Sequence, residues 1–174
     1  ALTDCLNFGN PEKLEIYYQL EQAVMGIAEA ARALKTPVIS GNVSLYNESQ
    51  GTAIYPTPVI GALGLLEDVS QHCGMAFQSS GDTVVLLGSS ALRGEPSSLA
   101  GSEYLEVVHD LVVGQPALDI DLEVALQSVC RHLVSEGIAR SAHDCSDGGL
   151  AVALAESCIA GNMGLMANAE ISGR

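Results

Sequence analysis

The segment Val38–Glu48 constrains the fold of this chain more than any other stretch. Its β-branched start, directly after Pro37, predicts a buried strand that ends in a polar run. Gly41 lets another group approach the backbone closely because it has no Cβ. Asn42 and Ser44 are two residues apart, so their side chains point to the same side of an extended chain. This pattern suits a metal site, a phosphate site or both, although spacing alone favours a strand that simply runs into a turn.

Composition and charge limit the class of protein. Hydrophobic residues make up 48% of the 174 residues and charged residues 16%, which is typical of a packed domain and not of a disordered chain. The formal net charge of −14 repels phosphate backbones, so we expect no nucleic-acid partner. A nucleotide substrate would need Mg²⁺ between its phosphates and such an acidic protein.

The five cysteines form no CxxC pair. An odd, scattered set predicts reduced thiols in a cytoplasmic protein and no zinc site. No apolar run reaches the roughly 18 residues that a membrane span needs, and no signal peptide is evident, so no membrane partner is expected. The chain opens on the apolar pair Ala1-Leu2 without Met, which predicts a piece of a longer protein.

The first third of the chain predicts a strand, a long helix and two further strands. Asp4 lies near the exit of a strand over 1–6, where a carboxylate serves either as a ligand residue or as a cap. Asn10-Pro11-Glu12 has the residues of a helix start. The apolar run over 59–66 predicts a strand with covered faces. The predicted apolar stripe of the helix consists of Leu14, Tyr17, Leu20, Val24, Ile27, Ala31 and Leu34.

A domain boundary is expected between Asp68 and Ser80, where polar residues replace the apolar run. We predict two domains, 1–68 and 69–174. Residues 47–56 and 89–101 have the composition of exposed loops. In the second domain the predicted strands are 83–88, 138–144 and 164–167, and the predicted helices begin near Gly101, Asp119 and Gly149.

The stretch His143–Gly149 is the second candidate site. It lies between a predicted strand and a predicted helix, where free backbone N–H groups can bind an anion. Asp147 and Ser146 also fit as simple caps of that helix. A nucleophilic pair of His143 and Cys145 is a weaker alternative, since no orienting group is evident in the sequence.

Three motifs together resemble the phosphoribosylformylglycinamidine synthase family. They are TDCLNFGNPE at 3–12, SGNVSLYNE at 40–48 and HDCSDGGL at 143–150. The third motif is shared more widely, with aminoimidazole ribonucleotide synthetase and related enzymes. The resemblance implies an α/β and α+β fold. It would comprise part of an aminoimidazole ribonucleotide synthetase N-terminal-like domain and then the C-terminal-like α+β domain, truncated at its end.

The resemblance also implies roles for individual residues. Asp4 and Gly41 fall where the family contacts ATP, Asn42 falls on a Mg²⁺ ligand, and Ser44 falls on a contact to the ribonucleotide substrate. No catalytic residue is implied in this stretch. The cofactors would be ATP and Mg²⁺, and the substrate would be formylglycinamide ribonucleotide.

The implied partners are a glutaminase subunit, which supplies ammonia, and a small accessory subunit. The catalytic histidine region and other ATP motifs of the family are not present in these residues, so we expect the isolated chain to be inactive. An incomplete first domain would leave a sheet edge or an apolar face uncovered, so we also expect the chain to self-associate. A non-catalytic nucleotide-binding or scaffolding module is the alternative hypothesis. A small-molecule kinase of the same superfamily is a third.

Overall fold

The computed structural model describes residues 1–88 and 99–167. The chain divides into two compact units, and the boundary in the sequence lies between Glu67 and Asp68. The first unit is built on a three-stranded sheet of β1 (Leu2–Asn7), β2 (Val38–Ser44) and β5 (Thr57–Ala62). A long helix, α1 (Leu14–Ala33), connects the first two strands. This unit is therefore of the α/β class.

The strand β1 is the centre of the sheet, in the order β2-β1-β5. It pairs in parallel with β2, as expected for strands joined by a helix, and antiparallel with β5. A register shift follows Leu2, after which Thr3 pairs with Ser40 and Asp4 with Gly41. Both outer strands have one edge without a partner among the residues described.

The core of the first unit is small. Leu6, Phe8 and Ile16 are buried, and Phe8 is 0% exposed. Partly buried side chains from the helix, the end of β2 and a following hairpin pack around them, namely Leu20, Ala23, Ile27, Leu45 and Ala53.

The predicted strand over 1–6 and the predicted long helix are present, but two details of the helix were wrong. Asn10 caps a turn, accepting a hydrogen bond at Oδ1 from the N–H of Glu12 at 2.8 Å, and α1 starts only at Leu14. The predicted stripe also begins on the wrong residue. Ile16 is 4% exposed whereas Leu14 is 85% exposed, because the sheet contacts the face defined by Ile16, Leu20, Ala23 and Ile27.

The predicted loop over 47–56 contains a short hairpin. Strands β3 (Glu48–Ser49) and β4 (Thr52–Ala53) pair antiparallel. The two residues between them, Gln50 and Gly51, both have positive φ, which is the geometry of a tight hairpin turn.

The apolar run over 59–66 is less regular and less covered than predicted. Only its first part lies in β5, which ends at Ala62. Val59 is 53% exposed and Leu65 is 89% exposed. The run is therefore largely exposed among the described residues, whereas its apolar composition predicts covered faces.

The second unit contains three helices among its described residues. They are α2 (Glu103–His109), α3 (Ile120–Ser135) and α4 (Gly149–Gly161). Ser102 and Asp119 cap the first two by accepting from backbone N–H groups, at 3.4 and 3.0 Å. All three helices agree with the predicted ones.

The predicted strands at 83–88, 138–144 and 164–167 were wrong, since none of these segments is a strand in the described structure. Their apolar residues gave a strand pattern, but a strand also needs a neighbouring ladder of hydrogen bonds. The segment 138–144 instead makes isolated contacts, such as the N–H of Ala142 to the carbonyl oxygen of Gly74 at 3.1 Å. The predicted loop over 89–101 lies mostly outside the described residues.

Candidate functional site

The register of the sheet places the four predicted site residues in two sets. Side chains alternate along each strand, and directly paired residues share a face. Asp4 and Gly41 are paired, and so are Cys5 and Asn42, one position further on. Asp4 therefore lies on one face of the sheet, and Asn42 and Ser44 lie on the other.

On the first face, Asp4 and Gly41 contact each other closely. A Cβ at position 41 would lie 2.6 Å from Cγ of Asp4, so the carboxylate occupies the space that any other residue would need. The group that approaches the open backbone of Gly41 is thus the side chain of Asp4.

Helix α1 packs on this same face and leaves a hollow of about 220 Å³. Asp4 is its one charged lining residue. The lining residues are Asp4, Leu6, Val24, Ile27, Ala28 and Val38. A half-buried carboxylate beside an apolar hollow can accept hydrogen bonds from a polar group that enters it.

On the opposite face, polar side chains lie on the two adjacent strands β1 and β2. Asn42 is exposed and has no hydrogen bond to another described residue, so its amide is accessible to a ligand. Two positions earlier, the hydroxyl of Ser40 donates to that of Thr3 at 2.8 Å. The predicted shared orientation of Asn42 and Ser44 is therefore present, on a face that α1 does not cover.

Ser44 ends β2 and is half-buried. Its side chain contacts Asn47, whose carboxamide also donates to the backbone carbonyl oxygens of Ser44 at 2.9 Å and of Phe8 at 3.1 Å. We did not select Asn47 as a site residue from the sequence. Its position three residues after a strand-end serine, in a turn, is the signal that could have identified it.

The stretch His143–Gly149 forms a compact turn before α4. The hydroxyl of Ser146 donates to Oδ2 of Asp144, and the backbone N–H of Ser146 lies 3.4 Å from the same oxygen. The Ser146 hydroxyl and these backbone groups hold the pKa of Asp144 below its ordinary value of 3.8. Gly148, with φ of 70°, precedes the helix and no side chain caps it, so the capping roles predicted for Ser146 and Asp147 were wrong.

His143 does not pair with Cys145 in the described structure. Its Nε2 lies 2.9 Å from Oε2 of Glu156 on α4, and its Nδ1 lies 3.4 Å from Oδ1 of Asp144. This geometry ties the turn to the helix that follows it, and it gives no support to the thiol alternative.

The described residues contain no group of three His, Cys, Asp or Glu side chains that could hold a metal ion. For Mg²⁺, Asn42 offers one neutral oxygen, and Asp4 cannot join it because it lies across the sheet. Mg²⁺ is usually bound through one or two carboxylates, and water and phosphate oxygens fill its other positions. The neutral amide oxygen of Asn42 therefore fits only as an additional ligand beside such carboxylates.

All five cysteines are free thiols, as predicted. In the two described ranges, no helix is both long enough and apolar enough to span a bilayer.

Comparison with known proteins gives two family matches that together cover most of the chain. Residues 1–66 match the AIR synthase related protein, N-terminal domain, and residues 79–172 match the AIR synthase related protein, C-terminal domain. The matches confirm the predicted fold class, an N-terminal-like α/β part followed by the C-terminal-like α+β domain.

Curated relatives are similar over nearly the whole chain. A protein from Synechococcus sp. (strain JA-3-3Ab) is 56% identical over 165 residues, and one from Moorella thermoacetica is 52% identical over 165 residues. Both are named phosphoribosylformylglycinamidine synthase subunit PurL. Each alignment covers 94% of this chain but only 21% and 22% of the respective relative, so the chain spans about a fifth of their length.

Proposed function

The chain belongs to the AIR synthase related protein family, and from that premise we propose that it is part of an ATP-dependent ligase, a phosphoribosylformylglycinamidine synthase. This ligase would convert formylglycinamide ribonucleotide to the amidine with ammonia derived from glutamine, in purine biosynthesis. The names and the high identity of the relatives support the reaction class. The observation that carries the proposal at the level of residues is the uncovered polar face that bears Asn42 and Ser44.

The chemistry explains why this face would be needed. The amide oxygen of the substrate has to be phosphorylated before ammonia can displace it, because oxide is a poor leaving group. Catalysis of phosphoryl transfer is mostly positioning and neutralisation of charge. When bound, Mg²⁺ would supply part of that neutralisation.

On this chain, each face of the sheet would have its own task. The Asn42 amide oxygen would hold the metal, and the Ser44 hydroxyl would make a hydrogen bond to the ribonucleotide. Asp4, on the helix side, would contact a part of ATP other than its metal-bound phosphates, with its carboxylate directed by the absence of a side chain at Gly41. The remaining acidic ligands and the catalytic groups would come from parts of the ligase outside this chain.

The partners in this proposal are a glutaminase subunit that releases ammonia and a small accessory subunit. The free cysteines and the acidic composition support a reducing, cytoplasmic location without nucleic-acid binding. The isolated chain would not turn over, because the catalytic groups and the acidic metal ligands of the ligase would lie outside it. A coupled ADP-release assay on the isolated 174-residue chain tests this point, and measurable turnover would contradict it.

The test of the function uses the complete gene product that contains this chain. ADP release with formylglycinamide ribonucleotide, ammonia and Mg²⁺ should be detected. The Asn42→Ala variant should need about tenfold more Mg²⁺ for half-maximal activity, since loss of a group from a metal site commonly costs this much affinity or more. Ser40→Ala, on the same face but bonded to Thr3, should leave the Mg²⁺ requirement unchanged.

Two other results would point elsewhere. Mg²⁺-dependent nucleotide binding without turnover of this substrate would support the non-catalytic module. An unchanged Mg²⁺ requirement in Asn42→Ala would remove this residue from the metal site.

A further inference from the structure

The turn after β2 holds Ser44 and Asn47 in mutual contact. Nδ2 of Asn47 lies 3.1 Å from Oγ of Ser44, and Oγ of Ser44 lies 3.3 Å from Oδ1 of Asn47. Tyr46 has φ of 60°, and this left-handed residue turns the chain so that Asn47 comes back over the strand end.

The carboxamide of Asn47 is itself fixed by the backbone. Its Nδ2 donates to the carbonyl oxygens of Ser44 and Phe8, and its own backbone N–H donates to Phe8 at 3.1 Å. The reverse orientation of the amide would place Oδ1 against two carbonyl oxygens, so the positions of its oxygen and nitrogen are determined by the network. Phe8 is fully buried, which anchors the arrangement to the core.

A serine hydroxyl otherwise rotates to suit any partner. At Ser44 the adjacent Asn47 amide restricts that rotation from one side, while the other side faces the uncovered surface shared with Asn42. A hydroxyl that is oriented in advance loses less freedom when a ligand binds, and that strengthens the contact.

We propose that Asn47 is a positioning residue for substrate binding, which acts on the ribonucleotide only through the hydroxyl of Ser44. The inference rests on the proposed function, since it deepens the role given there to Ser44. Asn47 itself need not contact the ligand. Its amide holds Ser44 and ties the ends of β1 and β2 together through the Phe8 carbonyl.

The experiment is a double-mutant cycle in the complete gene product, with KM for formylglycinamide ribonucleotide and KM for ATP as separate readouts. Asn47→Ala should raise the ribonucleotide KM about fivefold in the Ser44 background, as expected for loss of one oriented hydrogen bond. In the Ser44→Ala background it should change that KM by less than about twofold. The KM for ATP should stay constant throughout.

The outcomes distinguish the substrate contact proposed for Ser44 from the positioning role proposed for Asn47. An unaltered ribonucleotide KM in Ser44→Ala would overturn the substrate contact and this inference together. A raised KM in Ser44→Ala with an equal, additive effect of Asn47→Ala would overturn only the inference, because it would show a general structural role. KM does not depend on the fraction of active enzyme. If Asn47→Ala fails to fold, Asn47→Ser replaces it, because serine also removes the carboxamide but keeps a small uncharged polar group in the turn.

Discussion

The carboxylate of Asp4 lies in the space that a side chain at Gly41 would occupy. The two residues are paired across β1 and β2, and a Cβ built on Gly41 would meet Cγ of Asp4 at 2.6 Å. The absence of a side chain at one position therefore determines where the carboxylate at the other can lie.

The first prediction concerns this pair. Gly41→Ala should lower the free energy of unfolding by about 1–3 kcal/mol, because the added methyl group overpacks the site and displaces Asp4. In an Asp4→Ala background the same substitution should cost less than about 0.5 kcal/mol, since the obstructing atoms are gone. Urea denaturation of the four variants measures the coupling, and additive costs would contradict the prediction.

Gly26→Ala is the matched control for this series. Gly26 lies inside α1 and a Cβ there meets no atom within 4 Å. Alanine should therefore stabilise the helix by about 0.5–1 kcal/mol, in the opposite direction from the change at Gly41.

The second prediction concerns the core of the first unit. Phe8 is 0% exposed, so Phe8→Ala should destabilise this unit by about 3–5 kcal/mol through lost burial and a residual cavity. Leu14→Ala removes an exposed side chain at the start of α1 and should stay within about 0.5 kcal/mol of the parent. Urea denaturation is the measurement, and equal costs for the two variants would place the core elsewhere.

The third prediction concerns pH and the turn before α4. The pKa of Asp144 is lowered chiefly by the Ser146 hydroxyl, so ionised Asp144 favours the folded turn. That contribution is present above the ordinary pKa of 3.8 and is lost as the pH falls through the lower pKa of the folded state. Ser146→Ala should raise the pKa of Asp144 towards 3.8, as measured by NMR titration of the carboxyl carbon.

Asp68 supplies an internal control for that titration. Its pKa is lowered in the same way by the side chain and backbone N–H of Ser70. The pKa of Asp68 should stay unchanged in Ser146→Ala and should rise in Ser70→Ala. A common shift of both aspartates in either variant would show a general change of fold instead of a local hydrogen bond.

The fourth prediction concerns self-association of the isolated chain. β2 and β5 are the outer strands of the sheet, and the exposed Val59 lies on β5, so both an edge and apolar surface are available to a second copy. Sedimentation velocity should show mass rising with concentration, and Val59→Lys should reduce the association. Leu14→Lys, on the exposed side of α1, should leave the association unchanged. An equal reduction by both lysine substitutions would contradict the prediction, because it would reflect only the change in net charge.

Much of the first unit could be predicted because its signals are local. The strand that carries Asn42, the helix that precedes this strand and the shared side of Asn42 and Ser44 all follow from spacing along the chain. The position of Asp4 on the opposite face could not be predicted, because it depends on the pairing register between β1 and β2. That register includes an irregularity after Leu2, which no pattern within a single strand reveals.

In the described part of the second unit the helices could be predicted from the sequence, but the absence of strands could not. Its three helices were predicted because caps such as Ser102 and Asp119 are local hydrogen bonds. The segments at 83–88 and 138–144 have the composition of strands, but composition does not supply a pairing partner. In the same way, Asn47 contacts Phe8 across 39 residues of sequence, and such a contact can be recognised only once the strands are paired.

The pairing of the central strand β1 with β2 also determines which of its side chains face the helix. A slip of one residue against β2 would bring Thr3 or Cys5 to the helix side in place of Asp4 and would turn the carboxylate outward. Gly41 would then pair with Thr3 or Cys5 instead of Asp4. The register between the two strands thereby keeps the acidic side chain of Asp4 and the neutral side chain of Asn42 on opposite faces of one sheet.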